Sequence, residues 1–249
     1  MMEALASPPA AANMALVQRV RSMLWVRADA SRAVQMQAYM KSGLPFLGVP
    51  PQGVRAVCRG AFAAVRLDGP EAWRGTALAL WREATYREER YAALELLVHP
   101  LYRAYRTLDV LPLCEELVVT GAWWDTVDTV AGCLLGELLG VSPRAVGEEM
   151  RRWARDRNVW KRRAAILCQV WRGGETDPGL LFGCIEASLG ERSFYLRKAI
   201  GVALRHYAGS DPGAVTAYLE ANAGRLSAES KREAVRRLRG HGRPCDGEA

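Results

Sequence analysis

The chain reads WKRRAAI from Trp160 to Ile166 and YLRKAI from Tyr195 to Ile200. In both stretches an aromatic residue is followed by basic residues and then by small and aliphatic ones. Related stretches read RYAAL from Arg90 and SKREAV from Ser230, so the pattern returns roughly every 34 to 36 residues with one unit skipped. A fixed period of this length is typical of a repeat made of two helices, in which neighbouring repeats together bury one core.

Three proline pairs mark where the first helix of a repeat is expected to begin. Ser142-Pro143, Asp177-Pro178 and Asp211-Pro212 are 35 and 34 residues apart. Each pair places an N-cap residue before a proline at the first helical position. Apolar residues recur at helical spacing along nearly the whole chain, without convincing alternation. We therefore predict an all-α protein, an α-solenoid of stacked helix pairs.

Composition limits what such a chain could be. Half of its 249 residues are hydrophobic and about a quarter are charged, as in an ordinary globular protein. We predict one domain over residues 14–240, with disordered ends at 1–13 and 241–249. The segment Ala4–Met14 lacks the basic and apolar regions of a signal peptide, and no segment has the length of a membrane span. We expect a cytoplasmic monomer that does not associate with membranes.

The residues that usually bind metals form no recognisable pattern. Six cysteines occur without a CxxC pair, and three histidines lie far apart. We expect neither a metal nor another cofactor. The formal net charge is +7, with arginine as the main basic residue. This favours a nucleic-acid partner, because the guanidinium group suits phosphate contacts, although genomic base composition can also enrich arginine.

The basic residues of the repeated stretches are expected to share one surface. Stacked helix pairs turn their second helices towards a common concave face. A row of cations along that face could track a phosphate backbone. The alternative is that these side chains are simply solvated on helix surfaces. The candidates are Arg90, Arg162 or Arg163, Arg197 or Lys198, and Lys231 or Arg232.

The skipped unit breaks the pattern. Its second helix should begin near Trp124, within the stretch GAWWDTVD. In register with the other units, Asp128 stands in the place of Ala164 and Ala199, one helical turn after Trp124 and on the same face. A carboxylate in a cationic groove weakens DNA binding unless it has another role. Two interpretations remain open: a catalytic Asp128, or an Asp128 that forms a structural ion pair with Arg163.

The stretch EELVVTGAWWDTVD, which ends at Asp128, closely resembles the hallmark of the AlkD family of DNA glycosylases. The stretch NVWKRRAAIL, from Asn158, is similar to a second block of that family, and shorter segments extend the resemblance over about residues 30–239. The resemblance implies HEAT-like helical repeats that hold duplex DNA on a basic concave face. It also implies removal of N3- and N7-alkylated purines without insertion of the base into a pocket.

The resemblance implies roles for single residues as well. Asp128 matches the family's catalytic carboxylate, and Trp124 matches its sugar-contacting tryptophan. Arg163 matches a DNA-contacting arginine, and Tyr39 matches an aromatic residue near the lesion. Val202 departs from the pattern, because the best-known member carries a second cleft tryptophan at this position.

The expected activity is that of a monofunctional glycosylase. A cationic alkylpurine is already a good leaving group, so the chemistry needs neither a general acid nor a lysine nucleophile. One alternative is a specialised glycosylase for bulky alkyl-adenine adducts, as in self-resistance to a DNA-alkylating natural product, which Val202 suits. The other is a non-catalytic DNA-binding scaffold.

Overall fold

The computed structural model describes residues 11–238 of the chain. They form two compact units that divide after Tyr105. Both units are built from helices, and no strand occurs within residues 11–238, which confirms the all-α prediction. The single domain over 14–240 stays a prediction. The expected tail at 241–249, and residues 1–10 of the expected disordered N-terminus, lie outside the described residues.

The first unit contains five α-helices and a short 3-10 segment. Asn13, which was expected in the disordered end, is the N-cap of the first helix: its side chain accepts a hydrogen bond from the Leu16 N–H (2.9 Å). Its own N–H donates to the hydroxyl of Thr76 (2.9 Å). The helices are α1 (Met14–Trp25), α2 (Ala30–Met40), α3 (Pro51–Ala63), α4 (Gly69–Arg82) and α5 (Arg87–Leu97), followed by the 3-10 segment Pro100–Tyr105.

The second unit continues the helix pairs from Arg106 onwards. One of its helices is interrupted by a π-helical segment, Val130–Leu135, between α7 and α8. Two 3-10 segments, Leu108–Val110 and Gly173–Glu175, lie between other helices. The helices are α6 (Leu111–Gly121), α7 (Trp124–Thr129), α8 (Gly136–Val141), α9 (Pro143–Trp153), α10 (Val159–Leu167), α11 (Pro178–Glu186), α12 (Phe194–Tyr207), α13 (Pro212–Ala221) and α14 (Ala228–Leu238).

The three proline pairs do begin helices. Helices α9, α11 and α13 each have their proline in the first turn. The side chain of Asp177 accepts hydrogen bonds from two backbone N–H groups of α11, and that of Asp211 from one of α13. Ser142 occupies the N-cap of α9 without a side-chain cap hydrogen bond. The proline therefore sets this helix start without help from the serine hydroxyl, since its fixed φ suits the first turn.

Small residues of the second helices lie where neighbouring helices meet. Ala164, Ala199 and Ala234 are completely buried at equivalent positions of α10, α12 and α14. Two residues after Ala199, Gly201 lets α14 approach: a Cβ added there would lie 2.6 Å from the Cβ of Glu233. Larger side chains at these positions would force the helices apart, because a close-packed interior has no spare volume. The recurring small residues thus have the packing role that the repeat predicts.

Candidate active site

The chain turns sharply before α7, and this turn sets the direction of the helix. Ala122 follows α6 in a left-handed conformation (φ 41°), which is uncommon for a residue other than glycine. Trp123 is extended and serves as the N-cap of α7. The Thr126 hydroxyl donates to the Trp123 carbonyl (3.0 Å), which holds the first turn in place. Trp124 therefore occupies the first position of α7.

The π-helix that follows α7 is a local departure from regular helical packing. π-Helical segments are rare and occur frequently at functional sites. Here the segment contains Gly132, where an added Cβ would overlap the indole ring of Trp171. Beyond its end, a Cβ at Gly136 would lie 2.9 Å from the carbonyl oxygen of Cys168. The two glycines thus let the chain at the end of α10 lie directly against the π-helix. The π-helix itself follows α7, the helix that carries Asp128.

Asp128 and Arg163 form a two-point ion pair. The Arg163 Nε donates to Oδ1 of Asp128 (2.6 Å), and its Nη2 donates to Oδ2 (2.7 Å). The remaining Nη1 donates to the carbonyl of Tyr195 (2.6 Å), so all three elements α7, α10 and α12 are joined. Only 6% of the Arg163 side chain is exposed, against 30% of the Asp128 side chain. The ion pair considered from the sequence is therefore present, and it leaves part of the carboxylate accessible.

Burial and the ion pair act on Asp128 in opposite directions. Burial raises the pKa of Asp128 above its ordinary value, and it outweighs the hydrogen bonds and charge of Arg163, which lower that pKa. The nearby Asp125 carboxylate raises the pKa further. A carboxylate has about four lone-pair sites, so the contacts with Arg163 leave acceptor positions open. Asp128 can therefore present negative charge to a cation that reaches its exposed edge.

Trp124 is the exposed aromatic residue of the site, with 38% of its surface accessible. Its neighbour Trp123 is half-buried and packs against the rings of Trp160 (6.0 Å between centroids) and Tyr195 (5.7 Å). The rings of Trp160 and Tyr195 are themselves 4.7 Å apart. This agrees with a packing role for Trp123. Trp124, in contrast, leaves more than a third of its surface accessible to a ligand.

Most of the predicted row of cations is already held by other groups. Arg162 pairs with Glu191 (2.9 Å) and donates to the carbonyl of Ala187 (3.0 Å). Lys198 lies 3.5 Å from Glu229. The sequence did not reveal these acidic partners, because they lie about 30 residues away in neighbouring repeats.

Three further members of the row have different surroundings. The Lys231 ammonium group donates to the carbonyl of Ala223 (2.9 Å). The guanidinium of Arg90 lies over the ring of Trp81 (4.9 Å), and Arg232 is exposed. Arg90 belongs to the first unit, whereas the other candidates belong to the second.

Tyr39 lies in the first unit, near the end of α2, and is 77% exposed. The segment that follows is anchored by Glu88, which the sequence did not single out. This fully buried carboxylate accepts hydrogen bonds from the N–H groups of Leu47 (3.0 Å), Gly48 (2.9 Å) and Val49 (3.1 Å). Glu88 thus fixes the loop between α2 and α3.

Residues 11–238 contain neither a cluster of metal ligands nor a membrane-spanning helix. No group of three or more His, Cys, Asp or Glu side chains there could hold a metal ion. No helix in this part of the chain is long and apolar enough to cross a membrane.

Comparisons with known proteins show the family of the chain and a solved structure of similar fold. A model of the family described as DNA alkylation repair enzyme matches residues 20–238. Among solved structures, the chain is similar to a predicted DNA alkylation repair enzyme from Enterococcus faecalis, with a TM-score of 0.76 and 25% sequence identity. The match covers 85% of this chain and 96% of that one. No curated protein sequence matches the chain.

Proposed function

We propose, from the premise that this chain belongs to the DNA alkylation repair enzyme family, that it is a monofunctional DNA glycosylase. Its substrate would be duplex DNA that carries N3- or N7-alkylated purines, and the reaction would hydrolyse the N-glycosidic bond. The observation that carries the proposal is the partly exposed Asp128 carboxylate, held at two points by Arg163 one helical turn from an exposed Trp124.

The proposed reaction needs the protein mainly to stabilise the positive charge that develops on the deoxyribose. An alkylated purine is positively charged and leaves without being protonated, so positive charge develops on the deoxyribose as the bond breaks. A carboxylate at about 4 Å attracts that cation by about 4 kcal/mol at an effective dielectric constant near 20. If the Arg163 guanidinium behind the carboxylate lay about 8 Å from the sugar, it would repel the cation by about 2 kcal/mol. The difference of about 2 kcal/mol corresponds to roughly 30-fold in rate.

Asp128 would also orient the attacking water, since one of its carboxylate oxygens can accept a hydrogen bond from the O–H of that water. Trp124 would place its electron-rich face against the developing cation. We assign Arg163 a positioning role, because its guanidinium is covered and bonded to Asp128 and Tyr195. A phosphate contact by Arg163, as the resemblance implies, would require it to leave these partners.

The DNA itself would bind along the second helices, with the substrate's phosphates on a basic concave face. The residues proposed to contact it are Arg162, Arg197, Lys198, Lys231 and Arg232, with Tyr39 near the lesion. We propose that the base is not inserted into a pocket, and that the protein acts as a monomer. A lyase step is not proposed, because Lys161 beside this region has its ammonium group bound to Asp156 (2.7 Å) and Glu115 (2.8 Å).

One observation favours a second candidate function. Val202 is half-buried on α12, where the family pattern has a tryptophan. A valine leaves more room and no flat ring, which suits a bulky N3-alkyl-adenine adduct better than a methyl group.

A non-catalytic scaffold would retain the Asp128–Arg163 ion pair but would release no base.

The deciding experiment is single-turnover base release from a duplex that contains one N7-methylguanine. We expect release by the wild type, and a reduction of about 1,000-fold in Asp128→Asn, because the variant loses the attraction of about 4 kcal/mol and keeps the repulsion by Arg163. The matched control is Asp125→Asn, which removes the same charge from the same helix and is expected to stay within a few-fold of wild type. Thermal unfolding of both variants separates lost chemistry from lost stability.

The other outcomes select between the alternatives. If the wild type is inactive on N7-methylguanine but releases a bulky N3-adenine adduct, the specialised glycosylase is correct. If it binds DNA and releases neither base, the enzyme proposal is wrong and the scaffold remains.

A further inference from the structure

A cleft in the second unit is lined by three arginines from three different elements. Arg192 precedes α12, Arg197 lies in its first turns, and Arg225 lies in the loop before α14. Three cations that converge from separate parts of the chain repel one another, so an anion between them would relieve an unfavourable arrangement.

These arginines differ from most others in this unit, which have carboxylate partners. Within residues 11–238, no ion pair engages Arg192, Arg197 or Arg225. The Nε of Arg197 is buried without a hydrogen-bond partner there. Arg225 donates to the side-chain oxygen of Asn222 (3.2 Å), which is neutral. The arginines that do have carboxylate partners are Arg106, Arg144, Arg152, Arg162, Arg163, Arg172, Arg205 and Arg236.

The one carboxylate that lines the cleft is already engaged. Glu191 is bound by Arg162 from α10, at 2.9 Å. The charge that remains towards the cleft is therefore positive. The buried Nε of Arg197 is costly without a partner, whereas Arg192 and Arg225 are exposed and free to turn towards a ligand. An acceptor with several oxygens is the ligand that could bind all three guanidinium groups.

The rest of the cleft suits a phosphate that is attached to a sugar. Leu189, Ile200 and Leu226 contribute apolar surface. Ser227 and Ser230 also line the cleft, but their hydroxyl groups are bonded to each other (2.8 Å), and that of Ser230 donates to the Arg197 carbonyl (2.8 Å). Apolar walls beside cations fit a phosphodiester with its adjoining deoxyribose better than a free inorganic anion, which has no apolar part.

The cleft is joined to the candidate active site through two consecutive arginines of α10. Arg162 ties Ser188 and Glu191 at the rim of the cleft to α10 (3.1 and 2.9 Å). The next residue, Arg163, holds Asp128. A ligand fixed in the cleft would therefore have a defined position relative to the carboxylate.

We propose that this cleft is a clamp for one phosphodiester of the DNA backbone, with Arg192 and Arg225 as DNA-binding residues beyond those expected from the sequence. The inference rests on the proposed function for the identity of the polymer. Its role is to set the register of the duplex, since backbone contacts position a protein on DNA without reading sequence.

The test measures binding to an undamaged duplex by fluorescence anisotropy over a series of salt concentrations. For the double variant Arg192→Ala/Arg225→Ala we expect about tenfold weaker binding. The slope of log affinity against log salt should fall by about 0.9, the value for one lost phosphate contact. The matched control, Arg144→Ala/Arg152→Ala, removes two exposed arginines from α9 and should leave both quantities as in the wild type.

A second measurement distinguishes DNA phosphate from a free anion. Thermal unfolding of wild type and double variant is compared in inorganic phosphate and in chloride at equal ionic strength. If phosphate stabilises only the wild type while DNA binding is unchanged, the cleft holds a small anion and the clamp is wrong. Unchanged DNA binding without any phosphate effect overturns it as well. If the slope falls but the wild type releases no base, the clamp stands and the glycosylase proposal fails.

Discussion

The second helices α7 and α10 carry different residues at the same position of the repeat. In α10 the position is Ala164, which is completely buried between helices. In α7 it is Asp128, whose carboxylate is partly exposed and bound by Arg163. Arg163 directly precedes Ala164 in α10. The regular repeat therefore supplies the cation that compensates the partly buried charge of Asp128 in the irregular repeat. A repeat position can thus serve packing in one unit and chemistry in the next, provided that an adjacent repeat supplies a partner.

The Asp128–Arg163 ion pair would add little to the stability of the fold, but it would fix the position of the Asp128 carboxylate. Removing two charges from water costs several kcal/mol, which their attraction and hydrogen bonds roughly offset. Removing one partner leaves the other charge uncompensated, at a cost of about 3–5 kcal/mol. The predictions that follow test the difference between α7 and α10, from the largest expected effect to the smallest.

Making α10 resemble α7 should have the largest effect. Ala164→Asp would place a carboxylate at a fully buried position whose neighbouring Arg163 is already engaged by Asp128. We expect most of the protein's marginal stability to be lost, because an unpaired buried charge costs several kcal/mol. Urea unfolding followed by circular dichroism measures the loss.

The control for this variant is Ala217→Asp, at an exposed position of α13. It should cost less than about 1 kcal/mol, the difference in helix propensity. Equal stability of the two variants would show that position 164 is not a packing position.

Removing the cation from α10 should have the next largest effect. Arg163→Met is expected to destabilise the protein by about 3–5 kcal/mol, because it leaves Asp128 partly buried without its partner. The double variant Arg163→Met/Asp128→Leu should recover much of this loss, since an apolar pair of similar volume needs no compensation. Chemical denaturation of the single and double variants tests this, and a double variant no more stable than the single one would contradict the pairing.

The pH dependence of base release should expose the raised pKa of Asp128. The ionised carboxylate is the active form, so the rate should fall about tenfold per pH unit below that pKa. Because burial raises the pKa, this acid limb should lie above the range of an ordinary aspartate. No basic limb is expected, because a cationic base leaves without an acid. Single-turnover rates between about pH 4 and pH 8 measure the profile, and a rate independent of pH would remove Asp128 from the chemistry.

Stability should respond to the same titration with the opposite sign. A carboxyl group whose pKa is higher in the folded protein favours folding when protonated. Its contribution is complete below the unfolded pKa and is lost as the pH rises through the folded value. Asp128→Asn should remove this component from the pH dependence of unfolding.

Changing the ring of Trp124 should have the smallest effect. Trp124→Ala is expected to slow base release about tenfold, since a cation–π contact contributes about 0.5–2 kcal/mol. Trp124→Phe keeps an aromatic face and should retain most of the rate. Equal rates for the two variants would mean that the ring acts by shape and not by its π electrons.

Sequence reasoning reached the elements of the site better than their contacts. The period of the repeat predicted the helix starts at Pro143, Pro178 and Pro212. The odd unit was found because Asp128 replaces a small residue. The π-helix at Val130–Leu135 was not predicted, because hydrophobic spacing does not distinguish it from an α-helix, and the Trp171 ring that lies against its Gly132 comes from a later part of the chain. The buried Glu88 was missed for a similar reason, since an acidic residue on a helix is usually solvated.

What the sequence by itself determined is therefore the all-α architecture, the repeat period and the position at which the repeat becomes irregular. These follow from hydrophobic spacing, proline and capping residues, which act over a few residues along the chain. Only the tertiary structure showed that Asp128 and Arg163 form an ion pair, which arginines have carboxylate partners, and which arginines line the cleft. Those outcomes depend on side chains brought together across about 30 residues, and on burial, which strengthens a charge interaction where water is excluded.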